Sequence, residues 1–347
     1  MSGASAIFSV ELAYWQQTIL RSVGVLAAVL LPAGTIVYLF LFKMMSFMQS
    51  RIGPNEAGPY GSMQLLAEVG KWLQKEDIFP SKADRHLFAM APYIVVASVL
   101  LVYVAVPFGP DAWFAELDAG IFYVLAVSSL SAIGVLVAGW ASANKYALIG
   151  GLRAAGQLIA YELPMLLAVV GVCVQAGSLN LFDIVRAQAD GAIFGWEAVG
   201  NPYILTQFAG FAIFMVATQA ELTQPPFDMP VAESELVTGY MTEYSGIRFL
   251  LFFIAEFASA GAFAIIASTL FLGGYYLPGL DLDANYMNVV GPLVLLGKMV
   301  LVTFLIFWAR FTYPRFREDQ LQRFAWTVLI PLALVNILAT MILKVAF

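Results

Sequence analysis

Carboxylates placed between apolar segments are the chemically suggestive feature of this 347-residue chain. The stretch ELTQPPFDMPVAESELVTGYMTEYSGIRFLLFFIAEF, running from Glu221 to Phe257, holds Glu221, Asp228, Glu233, Glu235, Glu243 and Glu256 against one base, Arg248. It concentrates six of the chain's 23 acidic residues where carboxylates are expensive and need a reason. Glu162, in YELP, is a further acid inside an apolar run. A charge at mid-helix costs about 2.5–3.5 kcal/mol on insertion scales, so Glu162, Glu221 and Glu256 are expected to face protein or water. A series of such acids is the usual material of a proton relay. The plainer alternative is that each binds an Arg or Lys of a neighbouring helix, or snorkels to the headgroups. Bases nearby are scarce, only Arg248 with Lys145 and Arg153 in the adjacent loop, so local pairing of every acid is not expected.

Two local patterns refine this. In TQPPFDMP, Pro225 and Pro226 must end the preceding helix, after which Phe227 and Asp228 set a ring beside a carboxylate. That pair suits an amphiphilic head group such as a quinone; taken alone it is more often a turn with a capping Asp. In ESELVTGYMTEY, Glu235 and Gly239 fall one helical turn apart, with Tyr240, Glu243 and Tyr244 following as a polar, proton-capable surface.

The elements that position these groups are membrane helices. Hydrophobic residues make up 61% and charged residues 12%, with a mean hydropathy of +0.84, values that belong to a polytopic membrane protein. Runs of about 20 apolar residues predict eight spans, near 19–45, 87–107, 121–142, 157–177, 203–222, 248–272, 291–312 and 325–345. The fold class is all-α, and residues 1–347 read as one membrane domain without linker or repeat. The first basic residue is Arg21, so the N-terminal span reads as a retained helix rather than a cleaved signal. Lys and Arg gather in the 46–86, 143–156 and 310–324 loops, which the positive-inside rule places in the cytoplasm, with both termini outside. The acidic loop 223–247 falls on the same side. Within the first loop, Gly53, Pro54, Gly58, Pro59 and Gly61 mark turns. Residues of about 62–75 then set Leu65, Leu66, Val69, Trp72 and Leu73 on one face and Gln64, Glu68, Lys71 and Lys75 on the other. That is an amphipathic helix lying in the interface.

Composition also excludes chemistry. The single Cys173 rules out internal disulfides, a thiolate-held iron–sulfur cluster and a CxxC pair. The single His86 rules out bis-histidine haem or copper sites built from this chain. No nucleotide fingerprint is present. Any electron carriers belong to partners, and no catalytic or metal-ligating set is expected here. His86, Lys43 and Lys298 read as interfacial or snorkelling groups.

Three segments, SRIGPNEAGPYGSMQLLAEVGKW, ELTQPPFDMPVAESELVTGYMTEYSG and WARFTYPRFREDQL, closely resemble the H-subunit family of bacterial NADH:quinone oxidoreductase, respiratory complex I. The likeness runs the whole length. It implies a membrane subunit at the foot of the peripheral arm, in contact with the quinone-site subunits of that arm, small membrane subunits and lipid, and with no nucleic acid. Part of the bundle would be antiporter-like. NADH, FMN and iron–sulfur clusters would belong to partner subunits, and ubiquinone would be the substrate. Carried over by motif, Arg51 with Gly53, Pro54 and Asn55 would surround the mouth of a quinone tunnel, and Phe227 and Asp228 would line it deeper in. Glu162, Glu221, Glu233, Glu235, Glu243 and Glu256 would form a proton path, with Glu68 at its border. The third span offers Ser128, Ser129 and Ser131 but no acid. A bacterial inner membrane is implied ahead of a mitochondrial one. Two other readings are the equivalent subunit of a related quinone oxidoreductase or energy-converting hydrogenase, and a stand-alone proton-coupled carrier. The carrier predicts Gly/Pro-interrupted helices in matching halves, a symmetry the chain does not display.

Overall fold

The computed structural model describes residues 14–191, 200–280, 282, 284 and 286–346, apart from the side chains of residues 14, 17, 233 and 346. Helices alone supply the regular structure among these residues. Helix α1 (Tyr14–Ile36) widens into a π-helical run, Val37–Met44, and closes at Met48. The amphipathic α2 is Gln64–Gln74. Helix α3 is Arg85–Val104, and α4 is the pair Gly120–Ser128 and Leu130–Ala141, broken at Ser129. Helix α5 (Lys145–Ala176) is the longest, and the short α6 is Leu181–Ala189. Helices α7 (Phe208–Glu221), α8 (Gly246–Phe271) and α9 (Met287–Thr312) follow. The last, α10, runs from Glu318 to Ala346 through a π segment at Ala325–Leu329.

Seven of these helices are long and apolar enough to cross a membrane, among the described residues. The eighth expected span, 203–222, differs. A single turn, Tyr203–Thr206, is separated at Gln207 from α7, which has only 14 residues. Gln207 is buried because it serves its neighbours: its amide Nε2 donates to Thr340 Oγ1 at 2.5 Å, and its Oε1 accepts from Asn336 Nδ2 at 2.8 Å. A polar bridge to α10 therefore takes the place of a continuous apolar helix there.

Small residues bring the central helices together, as in other membrane bundles. A Cβ on Gly139 would lie 2.6 Å from the Ala147 carbonyl oxygen, so α4 and α5 cross on backbone contact. Where α3 meets α8, Tyr103 donates to the Ala258 carbonyl at 2.9 Å, directly over Gly261. Helices α3 and α5 start on side-chain caps. Asp84 accepts from the His86 and Leu87 N–H groups, and Asn144 accepts from Tyr146 N–H at 2.9 Å.

The predicted amphipathic helix forms within its expected bounds. Trp72 stacks on Phe249 of α8, with ring centroids 4.4 Å apart, and Leu65 packs on the core. Leu66 and Leu73 face away from the bundle and are exposed. Lys298 does not snorkel. Its ammonium donates to the carbonyls of Leu272 (2.6 Å), Gly274 (2.8 Å) and Tyr276 (2.5 Å), closing the C-terminal end of α8, where a cation also suits the helix dipole.

Candidate functional site

The site is built on the turn that stops α7. Pro225 and Pro226 remove two backbone donors, and the carbonyls left over must find partners in a setting without bulk water. Gln219 Nε2 donates to Pro225 O at 2.6 Å, and Phe316 N–H donates to Pro226 O at 3.0 Å. From α5, Gln157 Nε2 donates to both Ala220 O (2.7 Å) and Phe227 O (2.6 Å). Phe227 is buried between Tyr161 and Phe316, at ring distances of 5.2 and 5.4 Å. The turn is fixed by side chains far away in sequence, and it aims Glu221 to one side and Asp228 to the other.

Glu221 opens onto an internal cavity of about 70 Å³ between α3, α4, α5, α7 and α8. Glu256 shares that cavity, and Ser98, Ser128, Ser131, Ser259 and Tyr240 add hydroxyls to its otherwise apolar wall. A space of this size is polar and roomy enough for several waters, each of which needs about 10–15 Å³ by this measure. The buried Oε2 of Glu221 has no protein hydrogen-bond partner, and neither does the amide of Gln224, three residues on. Such atoms are few in folded proteins and call for a partner, which water in this cavity can supply. Glu162 faces Ser129 and lies within electrostatic reach of Glu221. The serines of the third span thus supply polarity where that span has no acid.

On the other side of the turn, Asp228 accepts from Arg315 Nη2 at 2.9 Å, and the same guanidinium reaches Ser234 Oγ at 3.2 Å. Burial pushes the Asp228 carboxyl above the usual range, while Arg315, the Ala232 backbone N–H and Arg310 pull it back. Arg310 lies 3.4 Å from Glu256, and Asp228 and Glu256 sense one another. Tyr240, on the short 3₁₀ turn Gly239–Met241, lies within electrostatic reach of both. Burial raises it well above the ordinary phenol value, and the two carboxylates add to the shift. Glu162 with Glu221 and Asp228 with Glu256 are two electrostatic pairs, and Glu221 and Glu256 line the same cavity.

The remaining expected residues lie apart from those pairs. Glu235 is half exposed and accepts from Arg153 Nη1 at 2.7 Å; that hydrogen bond holds its carboxyl below the usual range. Glu243 accepts from Asn144 Nδ2 at 2.6 Å, which ties the acidic loop to the α5 cap. Glu68 pairs with Lys71 on α2. The side chain of Glu233 lies outside the described residues. Arg51 is exposed and donates to Gln49 Oε1, while Lys43 holds the following turn through Pro54 O (2.7 Å) and Asn55 Oδ1 (3.3 Å). Gly53 is required in that turn: φ is +77°, and a Cβ would meet Phe42 O at 2.7 Å. Hydrogen bonds place the 51–55 turn against α1 and the Phe227–Asp228 pair against α5 and the loop after α9, with none joining the two.

The ion pairs differ from the expectation of scarce bases. Arg248, the one base of the acidic stretch, pairs with Asp77 at 2.9 Å and lies over the Phe79 ring. Glu256 and Asp228 are met instead by Arg310 and Arg315, 54 and 87 residues away in sequence. Sequence reasoning counted bases by nearness along the chain and so passed over this loop. The available signal was the run of Arg310, Arg315, Arg317 and Arg323 directly behind a span. Gln157 and Gln224 carried no spacing that would single them out. No group of three His, Cys, Asp or Glu side chains able to hold a metal occurs among the described residues.

Long apolar helices packed around a cavity lined by two carboxylates define a polytopic helical membrane protein. The NADH dehydrogenase family matches residues 20–341. The H subunit of NADH-quinone oxidoreductase from Brevibacillus brevis is 46% identical over 321 residues, covering 91% of each chain. The protein of the same name from Anoxybacillus flavithermus is 46% identical over 329 residues, covering 94% of this chain and 93% of the relative. That of Bacillus cytotoxicus is 45% identical over 306 residues, covering 88% and 87%. The chain belongs to this family, the H subunits of NADH-quinone oxidoreductase. It is a multi-pass membrane subunit of the complex I enzyme, with the other subunits of that complex as partners.

Proposed function

We propose that this chain provides the quinone passage and the first stage of a carboxylate proton path, and so couples quinone reduction to proton translocation. The observation that carries the reading is the water-sized chamber inside a hydrophobic bundle that both Glu221 and Glu256 line. Asp228, next to the buried Phe227 ring, is linked to that chamber through Arg310 and Glu256.

Electrons arrive from NADH through FMN and iron–sulfur clusters of partner subunits. Ubiquinone enters past Arg51, Gly53, Pro54 and Asn55, with Glu68 on the neighbouring helix, and its head group is received near Phe227 and Asp228. Its reduction consumes protons and alters charge beside Asp228. That change shifts the Arg315 and Arg310 pairings and, through them, the protonation of Glu256, Glu221 and Glu162. Glu233, Glu235 and Glu243 belong to the entry side of this path. The whole chain acts as one membrane domain in a bacterial inner membrane, with the arginine-bearing loops in the cytoplasm and both termini in the periplasm.

The test is Glu221→Gln in the intact complex. NADH oxidation by an artificial acceptor is expected to stay within about twofold, while quinone-coupled turnover falls by about tenfold or more. Equal loss of both activities, or undiminished pumping, overturns the reading.

A further inference from the structure

A polar recess of about 490 Å³ opens at the end of the bundle where Lys and Arg gather. Three stretches meet there: the loop that leads into α3, the turn between α4 and α5, and the acidic loop at Glu243. Lys82 and Lys145 both line it, together with Ser81, Asn144 and Glu243. The acids here are already engaged. Glu243 accepts from Asn144 Nδ2 at 2.6 Å, and Asp84, just before α3, accepts from the His86 and Leu87 N–H groups. The ammonium groups are not. Lys82 and Lys145 are exposed and make no ion pair among the described residues. Lys145 only approaches the Tyr146 ring, 5.8 Å from its centre. Arg85, the first residue of α3, is a third base and lies 5.0 Å from the Phe79 ring. These three bases against two engaged acids leave one positive charge in excess, which a single phosphodiester neutralises.

The helix that carries Lys145 offers the apolar half of the same ligand. Lys145, Ile149 and Leu152 are spaced i, i+4 and i+7, so they share one face of α5. Ile149 and Leu152 are exposed. They lie about 6 and 10 Å along the helix from Lys145, which is the depth of the upper part of an acyl chain in a hydrocarbon layer of about 30 Å. Trp140 on the last turn of α4 and Tyr146 on the first turn of α5 are exposed as well. Aromatic residues of these types mark the level of lipid head groups.

We infer that the recess holds the phosphate of an anionic phospholipid between Lys82 and Lys145, with one acyl chain along Ile149 and Leu152. Each base at the membrane surface adds about fivefold to affinity for such a lipid, and Ser81 supplies a hydroxyl donor to the phosphate. The recess shares Glu243 with the proposed proton path, but holding a phosphate requires neither that path nor the quinone passage.

The test uses the intact complex in mild detergent with phosphatidylglycerol that carries a photoactivatable group near the head-group end of one acyl chain. Labelling is expected on the peptide spanning 146–153, with phosphatidylglycerol competing about tenfold better than phosphatidylcholine. Lys82→Gln and Lys145→Gln, both at exposed positions, are each expected to lower the label about fivefold, and the double variant further. If the double variant does not assemble, the single variants decide. The readout is labelling, so a failure of the proton-path reading leaves the result intact. Equal competition by the two lipids, or unchanged labelling in the variants, overturns the proposal. So does displacement of the label by millimolar inorganic phosphate, which would mark a soluble-anion site. A photoreactive residue at Ala143 that captures another subunit of the complex in place of lipid overturns it too.

Discussion

Asp228 and Arg315 meet at 2.9 Å although 87 positions separate them in the chain, and this pair ties the acidic loop to the loop behind α9. Burial raises the Asp228 carboxyl, and Arg315 is the largest force holding it down. Removing the guanidinium therefore leaves Asp228 protonated to higher pH. For Arg315→Gln, the acid limb of the pH profile for quinone reduction is expected to move to higher pH. An acid limb at the same pH as in the unmodified complex would show that Asp228 does not govern it.

Glu235 contrasts with Glu221. Its side chain is 51% exposed, and its partner is a single arginine. Exposed pairs contribute little, about 0–1 kcal/mol. Glu235→Gln is expected to leave assembly unchanged and to lower quinone-coupled turnover less than Glu221→Gln does. Complex yield and the ratio of quinone to artificial-acceptor activity measure both effects.

Gly239 has φ of +56°, and a Cβ there would lie 1.7 Å from the Pro230 carbonyl oxygen. No flexible side chain can yield, because the obstacle is backbone. Gly239→Ala is expected to cost upward of about 2 kcal/mol and to displace Tyr240. Gly70 on α2 has nothing within 4 Å of an added Cβ, so Gly70→Ala serves as the control. That change is expected to be neutral, or stabilising by up to about 1 kcal/mol. Thermal inactivation of the two variant complexes compares them directly.

Lys298→Met would leave the carbonyls of Leu272, Gly274 and Tyr276 without their common donor. Each buried carbonyl left unmatched costs about 1–3 kcal/mol, and the expected loss is on the order of 3 kcal/mol or more. Unfolding in mixed micelles reads the change, and a shift under about 1 kcal/mol would show that water replaces the ammonium there.

Trp72→Ala removes the stacking on Phe249 that holds α2 to α8. The aromatic pair alone is worth about 0.5–1.5 kcal/mol beyond its buried area. Proteolysis within residues 49–84 is expected to quicken in the variant, while cleavage elsewhere keeps its rate.

What could be read beforehand followed from patterns that repeat along the chain. Apolar runs located seven long helices, periodicity located α2, and the double proline located the stop after Glu221. Two kinds of feature escaped. Gln207 interrupts the fifth expected span because three polar side chains from two helices find each other, and such pairing across helices leaves no local period. Arg310 and Arg315 reach Glu256 and Asp228 because α8 and α9 lie side by side, which sequence distance conceals. The chamber itself was half legible. Its acids and the serines of the third span stood out, while its hydroxyls at Ser98 and Ser259 looked like ordinary helix residues.

Glu256 lies ten residues beyond Gly246, the first residue of α8, which is about 15 Å along the helix, or half the thickness of a hydrocarbon core of about 30 Å. A unit charge crossing the whole membrane at 100 mV changes energy by about 2.3 kcal/mol. Occupying Glu256 from the Asp228 side therefore samples about half of that, roughly 1 kcal/mol. On the proposed path, the membrane voltage would then bias how readily Glu256 takes up a proton.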